Sequence, residues 1–228
     1  MGLIYKEVVE GDCLMGIWDI TESYDDLRAV LELGKEEEEK LNSFRCHARK
    51  IEWLSVRVLL KTLLGRQSKI VYNKQRKPFL AEKTHQISIS HSRNYTSILL
   101  SKENKVGVDL EYMSHRISSI AHKFINDDEI ITTNQEKKRY HLYIHWCAKE
   151  ALYKIYDKQD INFKQNITIL PFEPENNGTI KGIVSNRYGT ESFDIHYFRE
   201  DEYIVAWSAK DKMAIEKIFT FASNDFHI

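Results

Sequence analysis

The chain has 228 residues, 42% of them hydrophobic and 29% charged, with a formal net charge of -1. That composition fits a folded domain or two with an adequate core, and it excludes a generally basic nucleic-acid binder and a disordered chain. No run approaches eighteen apolar residues, the opening MGLIYKEVVEGDC lacks the apolar core of a signal peptide, and Cys13, Cys46 and Cys147 form no CxxC pair, so a reduced, cytoplasmic protein is expected.

In chain order, Ile17 to Ile20 reads as a first strand, and Ser23 as the cap of a short helix over 24–33 that Gly34 stops. A long helix is expected from Lys35 to Leu64, with Phe44, Ala48, Ile51, Ser55, Val58 and Thr62 on its apolar face and Lys50, Arg57 and Lys61 on another. Strands follow at 69–73, 86–90, 96–101 and 105–111. Helical patterns run from about Ser118 to Asp157, and strands at 166–170, 179–185, 191–198 and 203–209 read as a meander. Strands, helices and strands in blocks point to an α+β fold.

Charge is unevenly spread. Residues 22–39 hold eight acids (Glu22, Asp25, Asp26, Glu32 and Glu36 to Glu39) against Arg28 and Lys35. Residues 45–77 invert this, with Arg45, Arg49, Lys50, Arg57, Lys61, Arg66, Lys69, Lys74, Arg76 and Lys77 against Glu52 alone. Glu36 to Glu39 read as a solvated helix face. Bases gathered so densely repel one another and call for a counterpart, first a polyphosphate, second an acidic protein partner and third nucleic acid, since aromatic interleaving is sparse here.

Three short stretches carry candidate chemistry. In Val106-Gly107-Val108-Asp109-Leu110-Glu111 the apolar side chains share one strand face. Asp109 and Glu111 share the other, their Cα atoms ~6.6 Å apart, close enough for one hard cation. Gly107 is expected to leave that face open to a ligand, with Asp109 on the ligand side rather than the core side. Ser88-Ile89-Ser90-His91-Ser92 places hydroxyls and an imidazole at a strand end. It lacks G-x-S-x-G and suits phosphate contact better than hydrolase chemistry. In Trp146-Cys147-Ala148-Lys149-Glu150-Ala151-Leu152-Tyr153-Lys154, a helix expected to begin near Arg139, Ile144, Ala148, Ala151, Leu152 and Ile155 form the core side. Trp146, Glu150 and Lys154 then run up the opposite side. His141 and His145 share the i,i+4 spacing of HExxH without its glutamate, which argues against zinc.

These stretches, in order, resemble the 4'-phosphopantetheinyl transferase superfamily, in its longer surfactin-synthetase-activating type. Val106–Glu111 resembles the (V/I)G(V/I)D(I/L)E signature and Trp146–Lys154 the WxxKEAxxK signature. Ser90-His91-Ser92 resembles the family's SHS element. Lys77-Pro78 resembles the end of GKP, with Arg76 where the family has glycine. The likeness covers roughly residues 35 to 160.

The resemblance implies two similar α+β halves related by a pseudo-twofold axis, with the active site in the cleft between them. Residues 1–104 would form the half that binds coenzyme A phosphates, and 105–228 the half with the metal and the catalytic residues. It implies transfer of the 4'-phosphopantetheine arm of coenzyme A to a serine of an apo acyl or peptidyl carrier protein, releasing adenosine 3',5'-bisphosphate. Mg2+ would be held by Asp109, Glu111 and Glu150. Coenzyme A would be held by Arg49, Lys50, Arg76, Lys77, Ser90, His91, Asp109 and Lys154. Glu150 and Lys154 would be catalytic, as general base and as stabiliser of the pyrophosphate leaving group. A monomer is expected, with neither nucleic acid nor membrane as partner. The competing readings are a non-catalytic module that binds a carrier or a nucleotide, and a Mg2+-dependent phosphohydrolase.

Overall fold

The computed structural model describes residues 2–156, 161–187 and 189–211, and the chain divides into two compact units, Met1–Lys102 and Glu103–Ile228.

The first unit opens with a hairpin, β1 (Leu3–Glu10) and β2 (Cys13–Asp19). The expected strand at 17–20 is the end of β2. β1 escapes a reading by periodicity because it is an edge strand whose Ile4 and Val8 point outward, 48% and 65% exposed. Helix α1 (Tyr24–Ala29) carries a capping box: Ser23 Oγ accepts from Asp26 N, and Asp26 accepts from the Ser23 backbone. It ends earlier than expected.

The long helix is two helices, α2 (Lys35–Ser43) and α3 (His47–Leu64). The break at 44–46 needs neither glycine nor proline. Ser43 Oγ donates to Lys40 O, and the Phe44 N–H turns back to Leu41 O, so local bonds replace the helical ladder. The buried face of α3 also differs from the expected stripe. Leu54, Ser55, Leu59, Leu60 and Leu63 are buried, whereas Ala48 is exposed. Gly65, with φ 68°, ends α3 in the left-handed region. Helix α3 lies on β2 where Gly16 gives it room, since a Cβ there would stand 2.7 Å from a Leu63 methyl. Strands β3 (Ile70–Tyr72) and β4 (Pro78–Leu80) pair in a small hairpin, while β5 (Gln86–Ser92) and β6 (Tyr95–Ser101) complete an antiparallel sheet of order β1-β2-β6-β5.

The second unit begins with β7 (Asn104–Tyr112), followed by α4 (Ile117–Ile120), a 3-10 turn and α5 (Gln135–Ile155). Helix α5 starts a full turn before Arg139 because Asn134 caps it, its side chain accepting from Glu136 N and Lys137 N. Asp157, the expected end of the helical stretch, lies outside the described residues. Strands β8 (Ile167–Ile169), β9 (Asn177–Asn186), β10 (Gly189–Glu200) and β11 (Tyr203–Asp211) form the expected meander. The sheet order is β7-β11-β10-β9-β8, so the last described strand pairs with β7. Ile144, Ala148, Ala151, Leu152 and Ile155 are fully buried, as the helical pattern predicts. No described helix is long and apolar enough to cross a membrane.

Candidate active site

In the second unit, α5 packs on β7 at a contact set by one missing side chain. A Cβ on Gly107 would lie 1.9 Å from the Ala151 carbonyl oxygen, so only glycine fits. The Gly107–Asp109–Glu111 face is therefore the helix-facing one. This corrects the expectation of an open, ligand-facing strand. Asp109 is 4% exposed, and its Oδ1 accepts from Lys154 Nζ at 2.8 Å. The same ammonium donates to Val108 O at 2.7 Å. Cys147, one turn before Ala151, is wholly buried and hydrogen-bonded to Asp109. Burial first, then the nearby charges of Asp109 and Glu111, push its thiol well above the ordinary range, so it stays protonated.

Glu111 and Glu150 are half-buried. Residues 147, 150 and 154 fall at i, i+3, i+7 on α5 and share a face, so Glu150 flanks the row that meets Asp109. Asp109 and Lys154 are thus brought together by contact. Among the described residues, no group of three His, Cys, Asp or Glu side chains is arranged to hold a metal ion. The donor chemistry of Asp109, Glu111 and Glu150, carboxylate oxygens on one strand face and the helix beside it, nonetheless suits a hard divalent cation.

Trp146 does not stand on a bare outer side. It packs edge-on against Phe124, with ring centroids 5.2 Å apart, and against Phe163 at 5.3 Å. Lys149, given no role in the sequence reading, is fully buried. Its Nζ donates to Glu129 Oε2 at 2.7 Å and to Phe124 O at 2.6 Å. Glu129 also accepts from Asn126 N and Ile169 N, and His145 Nδ1 lies 3.4 Å from its Oε1. Burial works to raise the Glu129 carboxyl, but His145, Lys149 and the Asn126 amide outweigh it and hold it below the usual range. Desolvation likewise pulls Lys149 down, against the pull of Glu129. One signal for this pair was present in the sequence: residues 145, 149 and 152 form one core row of α5, and a lysine on such a row demands a buried acid.

In the first unit, the expected phosphate contacts fall in two groups. Arg49 is exposed in the first turn of α3, with Lys50 half-buried beside it. Arg49 Nη1 meets Glu52 Oε2 at 2.7 Å and lies 3.0 Å from Nε2 of His91, near the end of β5. Ser90 is buried, and its carbonyl faces Ser97 Oγ at 3.5 Å. Arg76 and Lys77 belong to the β3–β4 hairpin, where Asn73 organises the turn. Arg76 N donates to Asn73 O at 3.0 Å, and Lys77 N to Asn73 Oδ1 at 2.8 Å. Arg76 has φ 64°. It holds the left-handed conformation that glycine adopts freely, so the turn survives the substitution at a cost of ~1 kcal/mol.

Two other bases of the 45–77 stretch are paired by the acidic run. Arg57, 6% exposed, stacks on Trp53 and reaches Glu37 at 2.9 Å, while Lys69 reaches Glu36 at 2.5 Å. Glu38 pairs with Arg28. Lys61 donates to Val30 O. Three of the four glutamates read as a solvated face are therefore ion-paired, and Arg57 serves the core.

Residues 105–210 match the model of the 4'-phosphopantetheinyl transferase superfamily. The matched stretch, somewhat under half of the chain, runs from β7 to β11 and includes Asp109, Glu111, Glu150 and Lys154. Among curated proteins, the 4'-phosphopantetheinyl transferase AcpT of Salmonella typhimurium is 33% identical over 112 residues, covering 46% of this chain and 58% of its own length. A Synechocystis sp. relative, 32% identical over 120 residues, covers 46% of this chain and 49% of its own length, and it carries the same transferase name provisionally. The chain spans about half the length of these relatives.

Proposed function

We propose that the protein transfers the 4'-phosphopantetheine arm of coenzyme A to a serine of an apo carrier protein, releasing adenosine 3',5'-bisphosphate. The observation that carries this reading is the Asp109–Lys154 contact inside the matched domain. It brings together one residue from each of the two signatures, with Glu111 and Glu150 flanking it.

Asp109, Glu111 and Glu150 would hold Mg2+. The ion would supply a Lewis acid for the pyrophosphate of coenzyme A. Lys154, already fixed by Asp109 and Val108 O, would donate to pyrophosphate oxygens and offset the charge that builds on the leaving group. Glu150 would take the proton from the attacking serine hydroxyl, directly or through water. Arg49, Lys50, Arg76, Lys77, Ser90 and His91 would bind phosphate oxygens by charge-assisted or hydroxyl hydrogen bonds.

The longer type is also part of this proposal. Each unit lays its longest helix on an antiparallel sheet, across β2 and β6 in one and across β7 and β11 in the other, which supports similar halves; the N-terminal one would be the coenzyme side. A monomeric, cytoplasmic protein is proposed as well; the three free cysteines suit a reducing compartment.

The test is the intact mass of candidate apo carriers after incubation with the protein, coenzyme A and Mg2+. A carrier that gains one phosphopantetheine unit supports the reading. Release of phosphopantetheine to water with no carrier modified would replace it with a phosphohydrolase, and coenzyme A binding without either reaction would leave only a binding module.

A further inference from the structure

Arg49, Glu52 and His91 form a closed triangle within the first unit. Glu52 Oε2 accepts from Arg49 Nη1 at 2.7 Å and stands 3.3 Å from His91 Nε2, and the two basic nitrogens are 3.0 Å apart. If His91 is neutral, Nε2 can accept from Arg49; if it is protonated, Nε2–H points to Glu52. Either way one carboxylate lies against both bases. Glu52 is also the only acid among residues 45–77.

From this geometry we propose that Glu52 is an internal counter-anion. Its carboxylate occupies the place on Arg49 and His91 that a phosphate oxygen of the ligand takes, so the ligand binds by exchange with it. The inference rests on the reading of Arg49 and His91 as phosphate contacts. It differs from the pairing of Arg57, which is buried with Glu37 and cannot be released without stranding a charge. The side chains of Arg49, Glu52 and His91 are 50%, 25% and 38% exposed. An ion pair at that exposure is weak and screened by water. A phosphate brings more charge and more acceptor oxygens, so it wins the exchange. A singly charged carboxylate gains nothing over the tethered one. Glu52 thereby sets a threshold that favours phosphates over weaker anions.

The ordinary alternative is an i,i+3 salt bridge that only supports the helix, and the sign of one substitution separates the two. Calorimetric titration of the full chain would compare wild type, Glu52→Gln, Glu52→Ala and Arg49→Ala, with coenzyme A, dephospho-coenzyme A and inorganic pyrophosphate as ligands. Both Glu52 variants should bind about three- to tenfold tighter than wild type, the scale of one exposed charge removed. Loss of a structural support cannot strengthen binding. A gain for coenzyme A alone would put the 3'-phosphate on the pair, and an equal gain for the dephospho form would put the pyrophosphate there; both support the proposal. Unchanged or weaker binding by both Glu52 variants, with Arg49→Ala weakened in the same assay, overturns the counter-anion and leaves the coenzyme reading standing. Tighter pyrophosphate binding by the Glu52 variants, with coenzyme A bound by no protein, keeps the exchange and removes the coenzyme reading. If no anion binds any of the four proteins, both fall.

Discussion

Lys154 Nζ stands 2.8 Å from Asp109 Oδ1 and 2.7 Å from Val108 O, so one ammonium ties α5 to both the side chain and the backbone of β7. The two side chains are 19% and 6% exposed. Removing either partner strands a largely buried charge. Lys154→Met should therefore cost ~1–3 kcal/mol in stability, below the full penalty of a dry pair because water reaches the lysine. Adding Asp109→Asn should recover much of that loss, since two neutral groups then face each other. Urea denaturation of both single variants and the double variant checks the coupling; additive costs would mean the contact is incidental. Asp109→Ala, by the same argument, should not be silent in the fold, whatever it does to turnover.

Gly107→Ala places a methyl 1.9 Å from a backbone oxygen of α5. Neither a rotamer change nor a flexible neighbour can relieve that overlap. The helix must move off the strand, carrying Lys154 from Asp109, at a cost of about 3 kcal/mol or more. Thermal unfolding should show the loss directly, and a variant that melts like wild type would refute the close crossing.

Arg76→Gly should leave stability within ~1 kcal/mol of wild type, because relief of left-handed strain offsets the greater freedom of glycine in the unfolded chain. Arg76→Val should be worse than either, as a β-branched residue tolerates positive φ least. Chemical denaturation ranks the three. If valine proves as stable as arginine, the turn does not hold residue 76 at φ 64°.

His141 Nδ1 accepts from Thr132 N at 3.1 Å, which puts its ring proton on Nε2, an atom with no hydrogen-bond partner among the described residues. Burial, and secondarily His145, pull its pKa down to about 4, and burial lowers that of His145 too. The unfolded chain thus takes up the protons more readily than the folded one. The stabilisation from neutral imidazoles is complete above about pH 6.5 and, for His141, is lost as pH falls toward about 4, at up to ~1.4 kcal/mol per pH unit for each histidine that titrates. Denaturation midpoints measured across that window should fall with pH, and His141→Gln should shallow the slope without abolishing it. An unchanged slope would show that His141 titrates outside the folded core.

Much of this was legible in the sequence. Alternation separated Val106, Val108 and Leu110 from Gly107, Asp109 and Glu111, and helical spacing found the core side of α5. Alternation divides a strand into two faces but does not say what covers each, so the glycine that admits Ala151 looked like an opening for a ligand. Lys149 drew no assignment because its acid, Glu129, lies twenty residues upstream with no periodic link to it. Likewise, the charge blocks at 22–39 and 45–77 were visible, but their mutual pairing is a tertiary fact that a running count of charges cannot supply. The break at 44–46 rests on a serine hydroxyl turned onto its own helix, too local a signal to override the apolar pattern on either side.

The pairing of β7 with β11 bears on how the protein is made. Among the described residues, the strand with Asp109 has one strand neighbour in its sheet, and that neighbour comprises residues 203–211. On a ribosome, β7 emerges nearly a hundred residues before the segment that closes its hydrogen bonds, and α5 can settle on it before that closure. Completion of the sheet is then a late, long-range event, the kind that slows folding. A chain stalled or clipped before Tyr203 would leave β7 without the strand partner that covers one of its edges, an invitation to self-association that pairing with β11 reduces.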